Sequence, residues 1–202
     1  MKVGFIVECG PEGAETKVIP YLAKMIREDI EIIDPIPLNR KPNLKEQCGK
    51  FAKQLLSQGC QRVIIIWDLM PDWGEYEGKG CQYEDRIEIY ESLKSAGLNP
   101  KDKRIRLVCI HKMLEAWIIA DERALSRFLS TPAHQISVPR NKKPESITDT
   151  KSALITLFRK SGSRIGCYID YTHAIKIVEE LPDLGRLLKL KTFARFKDKL
   201  TR

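Results

Sequence analysis

The sequence predicts an α/β protein built on a mostly parallel sheet of about four strands, flanked by helices, with a helical C-terminal part. Two observations carry this. Short runs that are apolar at every position, too short for buried helices, alternate with longer stretches whose apolar residues recur at helical spacing. Strands that are apolar on both faces belong to a parallel sheet covered on both sides. A third observation sets the C-terminal part: beyond residue 129 only helical periodicity returns.

Taken in order, KVGFIVE (2–8) reads as the first strand. The GPEGAE turn leads into a helix over 16–28, with Val18, Leu22, Met25 and Ile26 on one face and Pro20 tolerated in the first turn. EIIDPI (31–36) is a second short strand stopped by Pro35 and Pro37. A helix over 43–59 takes Asn43 as N-cap and Gly59 as its stop. QRVIIIWD (61–68) is the third strand, and an acid- and Gly-rich loop spans 69–81. A helix over 83–97 ends at Gly97, a fourth strand covers 102–111, and a single helix is expected over 113–129. A polar linker (140–146) precedes helices at 146–162, with Ser146 as cap, at 171–181 and at 192–200. The reading is one domain over 1–202, with an α/β core at 1–129 and a helical extension at 140–202 packed on it.

The chain is 43% hydrophobic and 31% charged over 202 residues, which suits one sizeable core. No apolar run approaches the roughly 20 residues of a membrane span, and MKVGFIVECG lacks the features of a signal peptide. A cytoplasmic location is the expectation, with no membrane partner. The six cysteines are scattered singly, without zinc-ligand spacing. Charge is uneven. Residues 1–101 carry 14 Lys/Arg and 16 Asp/Glu, a net of −2, whereas residues 102–202 carry 21 and 11, a net of +10. The basic half suits a polyanion, although a charge of this size also serves solubility alone.

In parallel sheets the working residues gather at the carboxyl ends of the strands. Glu8 ends strand one, Asp68 ends strand three, His111 ends strand four and Glu115 opens the next helix. Glu8 precedes a turn with Gly10 and Gly13 where a phosphate can approach closely. As a cap for the following helix it would be redundant, because Glu12 and Glu15 already stand there. The turn is not a Walker loop, since no G-K-[ST] follows. Asp68 and Asp72 either initiate a turn with Pro71 and Gly74 or hold a cation. Mg²⁺ takes one or two carboxylates and shares its remaining positions with water and substrate phosphates. Glu75 or Glu77 offers the same chemistry as Asp72. Glu115 is either a further ligand or a partner of the helix dipole. Asp121, six residues on, reads as a structural contact. His111 is either a phosphate or proton contact or a hydrogen-bonded strand end.

The segments FIVECGPEGAE, VIIIWDLMPD, HKMLEAWIIAD and KTFARFKDKL together resemble the TOPRIM domain, and in particular a family of TOPRIM-like bacterial proteins of about this length. The resemblance covers most of the chain, and Leu114–Asp121 is its most specific piece. It implies a Rossmann-like/TOPRIM-like fold and a nuclease or related phosphodiester-processing enzyme using Mg²⁺ or Mn²⁺. It also implies a place in antiphage defence, alone or as a catalytically impaired binding or regulatory subunit beside an ATPase partner. By position, Glu8 matches the family's glutamate, a general acid/base and metal ligand, and Asp68 matches the first aspartate of an Asp-x-Asp pair. The metal ligands implied are Glu8, Asp68, Asp72 and Glu115. Two departures stand out: Cys9 separates Glu8 from Gly10, and Met70 occupies the place of the second aspartate, with Asp72 two residues late.

Residues 186–202 hold seven basic side chains against one acid. Lys191 and Arg195 in this tail, with Arg140, Lys142 and Lys143 in the linker, are the expected nucleic-acid backbone contacts. Phe193 and Phe196, three apart, are expected to dock the last helix on the core rather than to stack bases.

Overall fold

A computed structural model describes residues 1–70 and 81–202. Among these residues five strands form a single all-parallel sheet: β1 (Lys2–Val7), β2 (Glu31–Ile32), β3 (Ile36–Pro37), β4 (Arg62–Asp68) and β5 (Ile105–Ile110). The order is β2-β1-β4-β5, with β3 also on β1. The single second strand expected over 31–36 is therefore two short pairings along the same edge of β1. Pro35, which has no N–H to donate, lies between them. The helices are α1 (Glu15–Ile26), α2 (Lys41–Ser57), α3 (Gln82–Ser95), α4 (Glu115–Ile119), α5 (Glu122–Leu129), α6 (Thr150–Lys160), α7 (Asp170–Glu179) and α8 (Lys191–Thr201). Among the described residues, no helix is long and apolar enough to cross a membrane.

The all-apolar strands are explained by two cores, one on each face. Val3, Phe5, Val7, Ile64, Ile66, Val108 and Ile110 point into one, built with α1 and the C-terminal helices. The alternate residues Ile6, Val63, Ile65, Trp67, Leu107 and Cys109 point into the other, built with α2 and α3. Strand periodicity of two thus serves two buried faces.

The chain leaves β1 to build β2 and β3 on one side, then returns through α2 to build β4 and β5 on the other. The winding direction reverses between β1 and β4. A crevice opens beyond the strand ends at such a reversal, and Glu8 and Asp68 stand on its two sides.

Helix boundaries correct three expectations. Helix α2 begins at Lys41, before Asn43, because Pro42 fits the first turn. Helix α6 is capped by Asp149, whose carboxylate accepts the Ser152 N–H at 2.9 Å; Ser146 instead closes a 3-10 turn, Pro144–Ser146. The helix expected over 113–129 is two helices. Asp121 adopts extended backbone and caps α5, accepting the N–H groups of Arg123 at 3.0 Å and Ala124 at 3.2 Å. Fully buried, it also pairs with the Arg123 guanidinium at 2.6 Å. Asp121→Ala removes both roles and should destabilise the fold by about 2 kcal/mol, measured by denaturant unfolding.

Helices α2 and α3 touch backbone to backbone. A Cβ added at Gly49 would lie 2.1 Å from the Ser92 carbonyl oxygen, and the Gly49 N–H donates to Ser92 Oγ at 3.0 Å. Gly49→Ala must force the two helices apart, at a cost of about 1–3 kcal/mol, visible as a fall of several degrees in Tm.

The last helix is docked as expected. Phe193 and Phe196 are fully buried, with ring centroids 5.0 and 5.6 Å from that of Trp117. The Trp117 indole N–H donates to Thr192 Oγ1 at 2.9 Å. The Leu114–Asp121 motif therefore contributes its tryptophan to the seat of α8. Glu145, distant in sequence, caps α8 by accepting the N–H groups of Lys191 and Thr192.

Candidate functional site: an acidic cleft at the strand reversal

A cleft of about 640 Å³ lies beyond the ends of β1 and β4. Glu8, Glu15, Asp68, Glu115, Asp149 and Asp170 line it, against Arg40 and Lys151. Glu8 follows the last residue of β1, and one carboxylate oxygen accepts the Asp68 backbone N–H at 3.0 Å, stitching the two strand ends together. Asp68 Oδ2 accepts the Leu114 N–H at 3.3 Å, while Oδ1 is buried without a hydrogen-bond partner among the described residues. Glu115, at the start of α4, is buried on the same wall.

The floor and rim are built by backbone. Met70 N–H donates to the Lys112 carbonyl at 2.8 Å and Leu69 N–H to that of Ile110 at 2.9 Å, so the β4–β5 pairing continues into the rim. Among the described residues, Lys112 and Asn39 are the non-glycine residues with left-handed backbone, at φ 75° and 62°. Such conformations concentrate where a site dictates the chain path, and Asn39 lines the cleft. Gly13 is required by its turn: a Cβ there would lie 2.3 Å from that of Cys9. Beneath the cleft Lys41 is almost fully buried and donates to the Leu69 carbonyl at 2.9 Å.

Burial and mutual repulsion govern the electrostatics. Burial pushes the Glu8 carboxyl up to about 7, against the Lys41 charge and the Asp68 N–H. Burial likewise raises Glu115 to about 7, with Glu15 adding to the effect. Asp68 lies well above the ordinary carboxylate range, through burial first and then repulsion from Glu15, Glu8 and Glu115. Glu15 is raised by burial as well. Asp170 behaves oppositely: burial pushes it up, but the Lys151 ammonium at 2.6 Å holds it below its usual value. The buried Tyr168 hydroxyl is raised by burial and by nearby Glu115. Burial also pushes the Cys9 thiol up, so the cysteine in the cleft keeps its proton.

The cleft thus gathers Glu8, Asp68 and Glu115, three of the four expected ligands. Asp72, with Glu75 and Glu77, lies outside the described residues. Met70 lines the cleft where a second aspartate is expected. His111 is exposed and is not among the lining residues. Arg140, Lys142 and Lys143 are exposed around the 3-10 turn, and Lys191 and Arg195 lie on the outer face of α8. Four participants had no sequence signal of their own: Glu15 reads as an ordinary first-turn acid, and Lys41, Lys151 and Asp170 come from helix starts far from any motif.

Among the described residues, no three His, Cys, Asp or Glu side chains are arranged to hold a metal ion by themselves. The donor set nevertheless fits Mg²⁺ or Mn²⁺ bound in the manner of a shared site. Two adjacent hard oxygen donors, Glu8 and Asp68, stand in a cleft lined mostly by acids, and one donor oxygen has no partner among the described residues. Fold and site together define a doubly wound parallel α/β protein with a carboxylate cleft at its strand reversal. No protein-family model, curated protein or solved structure matches the chain.

Proposed function

We propose that the chain is a TOPRIM-like, divalent-cation-dependent phosphodiester-processing enzyme, in its simplest form a nuclease. The observation that supports this reading most is the buried Asp68 oxygen that has no hydrogen-bond partner among the described residues, placed among Glu8, Glu15 and Glu115 at the strand reversal. A buried acid without a compensating partner is costly, and a cation shared with a substrate phosphate removes that cost. Glu8 and Asp68 would hold the ion, with Glu115 behind them; bound there, it supplies charge neutralisation at the scissile phosphate and an acidified water.

The side chains carry the remaining roles. Glu8, whose carboxyl stands near 7 before an ion binds, can carry a proton as general acid or base only while it is not coordinating the ion. Lys151 and Arg40 present the cationic groups of the cleft to phosphate oxygens. Asp170 keeps Lys151 charged and oriented. The test is incubation of the protein with plasmid and with single-stranded oligonucleotides in Mg²⁺ or Mn²⁺, beside Glu8→Gln. Cleavage by the parent chain and its loss in the variant are expected. Cleavage that persists in Glu8→Gln would remove Glu8 from the chemistry.

A second reading has an observation of its own. Met70 sits in the cleft in place of a second acid, which favours a subunit that binds metal and nucleic acid for a partner, such as an ATPase, without cutting. Metal binding without cleavage by the isolated chain, with cleavage appearing only when a partner is added, would select this reading.

A further inference from the structure

A second groove, of about 690 Å³, runs along the outer edge of the sheet between β5 and α8. Arg106 from β5 and Lys191, Arg195, Lys199 and Arg202 from α8 line it. Its one acid, Asp198, faces Arg202 at 3.8 Å. Among the described residues, the other four cations have no acidic partner.

The stripe follows from the same helical period that buries the opposite face. Thr192, Phe193, Phe196 and Leu200 face the core. Positions 191, 195, 199 and 202 therefore fall together on the outside, about 6 Å apart per turn and about 16 Å end to end. Arg62 supports this end of the molecule, donating to the Lys199 carbonyl at 2.7 Å. Helix α8 runs antiparallel to the strands. It starts at the Glu145 cap, a few residues before the cleft-lining Thr148 and Asp149, and ends beside Arg62 at the start of β4.

We propose that this α8–β5 groove is a binding track for the sugar-phosphate backbone of a double-stranded nucleic acid that extends past the acidic cleft. The class of polymer rests on the phosphodiester reading; the place and the residues rest on the groove. Duplex DNA presents one charge per 3.4 Å along each strand, so a 16 Å stripe faces about five phosphates of one strand. Proteins that hold single strands add aromatic platforms for the bases, and the groove has none, since both phenylalanines of α8 are turned inward. A membrane-surface helix needs apolar side chains beside its cations, and among the described residues Ala194 is the groove's sole apolar lining residue.

The experiment uses the full chain and a fluorescein-labelled 20-base-pair duplex, with anisotropy read in EDTA from 50 to 300 mM KCl. Binding should fall with salt at a log–log slope of about −0.9 for each phosphate engaged. Arg195→Gln with Lys199→Gln should flatten that slope by about 1.8 and weaken binding at 50 mM KCl by on the order of tenfold. Arg106→Gln, on a strand rather than on α8, should act in the same direction, which separates the groove from a misfolded helix. Circular dichroism should be unchanged in both. Unchanged slopes in both variants would overturn the proposal. So would equal affinity for a single strand, or phosphatidylserine vesicles bound through the same residues. Duplex binding through these residues with no cleavage in Mg²⁺ supports the track and counts against the nuclease reading alone.

Discussion

Asp68→Asn should stabilise the metal-free protein at pH 8 and abolish the metal-dependent cleavage proposed for it. The wild-type carboxylate is buried, has one oxygen without a partner among the described residues and faces Glu8, Glu15 and Glu115. An amide of the same shape keeps an oxygen for the Leu114 N–H and removes the charge. The amide N–H₂ takes the place of the second oxygen and can donate to a neighbouring carboxylate, so the gain comes from replacing repulsion with such a contact, about 1–3 kcal/mol, and at 150–250 residues each kcal/mol is worth roughly 2–4 °C in Tm. The functional loss goes the other way. A bound ion contributes several kcal/mol to a phosphodiester transition state, so cleavage should fall by about 10²–10³-fold or more. Thermal unfolding with and without Mg²⁺ reads the first effect, and a cleavage assay the second. A variant that is less stable than its parent in EDTA would show that Asp68 is already neutralised within the fold.

The parts of this arrangement visible in the sequence are those written locally. Strand β4 is apolar at every position from Val63 to Trp67 because α2 and α3 cover one face and the C-terminal helices the other. Glu8 and Asp68 were legible because an acid closing such a run has no apolar reason to be there. The break at Asp121 was hidden, because Leu114, Trp117, Ile118, Ala124 and Leu125 keep a helical spacing across it. Only the cap geometry, a property of backbone rather than of pattern, separates α4 from α5. Likewise Glu145 caps a helix that begins 46 residues later, and no local signal announces such a cap. The second wall of the cleft shares this difficulty. Lys151 and Asp170 start different helices and meet only once both pack over the end of the sheet.

The stability of the metal-free protein should fall as pH rises from about 5 through about 7, with Mg²⁺ removing most of that fall. Glu8 and Glu115 each stand near 7 in the folded chain, against 4.5 as the ordinary value. Between these limits the unfolded chain releases protons that the folded chain retains. The unfolded state therefore binds fewer protons, and stability declines with pH. For Glu8 and Glu115, below about 4.5 both states are protonated and the penalty vanishes, and above about 7 both are ionised and it is constant; Asp68 and Glu15, also raised by burial, act in the same direction. For one such group the full penalty is on the order of 3 kcal/mol, and because the groups repel one another the pair does not sum simply. Paired acids of the Asp170 kind work in reverse, since their depressed values make the fold lose stability in strong acid, which places the optimum near pH 5. A divalent ion favours the ionised carboxylates and competes with protons. At pH 8 a concentration a hundredfold above its dissociation constant adds about 2.7 kcal/mol, roughly 5–10 °C in Tm, and at pH 5 the same addition should shift Tm by little. Glu115→Gln should flatten the pH dependence while leaving part of the Mg²⁺ response, because Glu8 and Asp68 remain. Equal Mg²⁺ shifts at pH 5 and pH 8 would mean that the ion binds elsewhere, and a stability that rises with pH over this window would mean that these carboxylates are ionised, and compensated, in the folded protein.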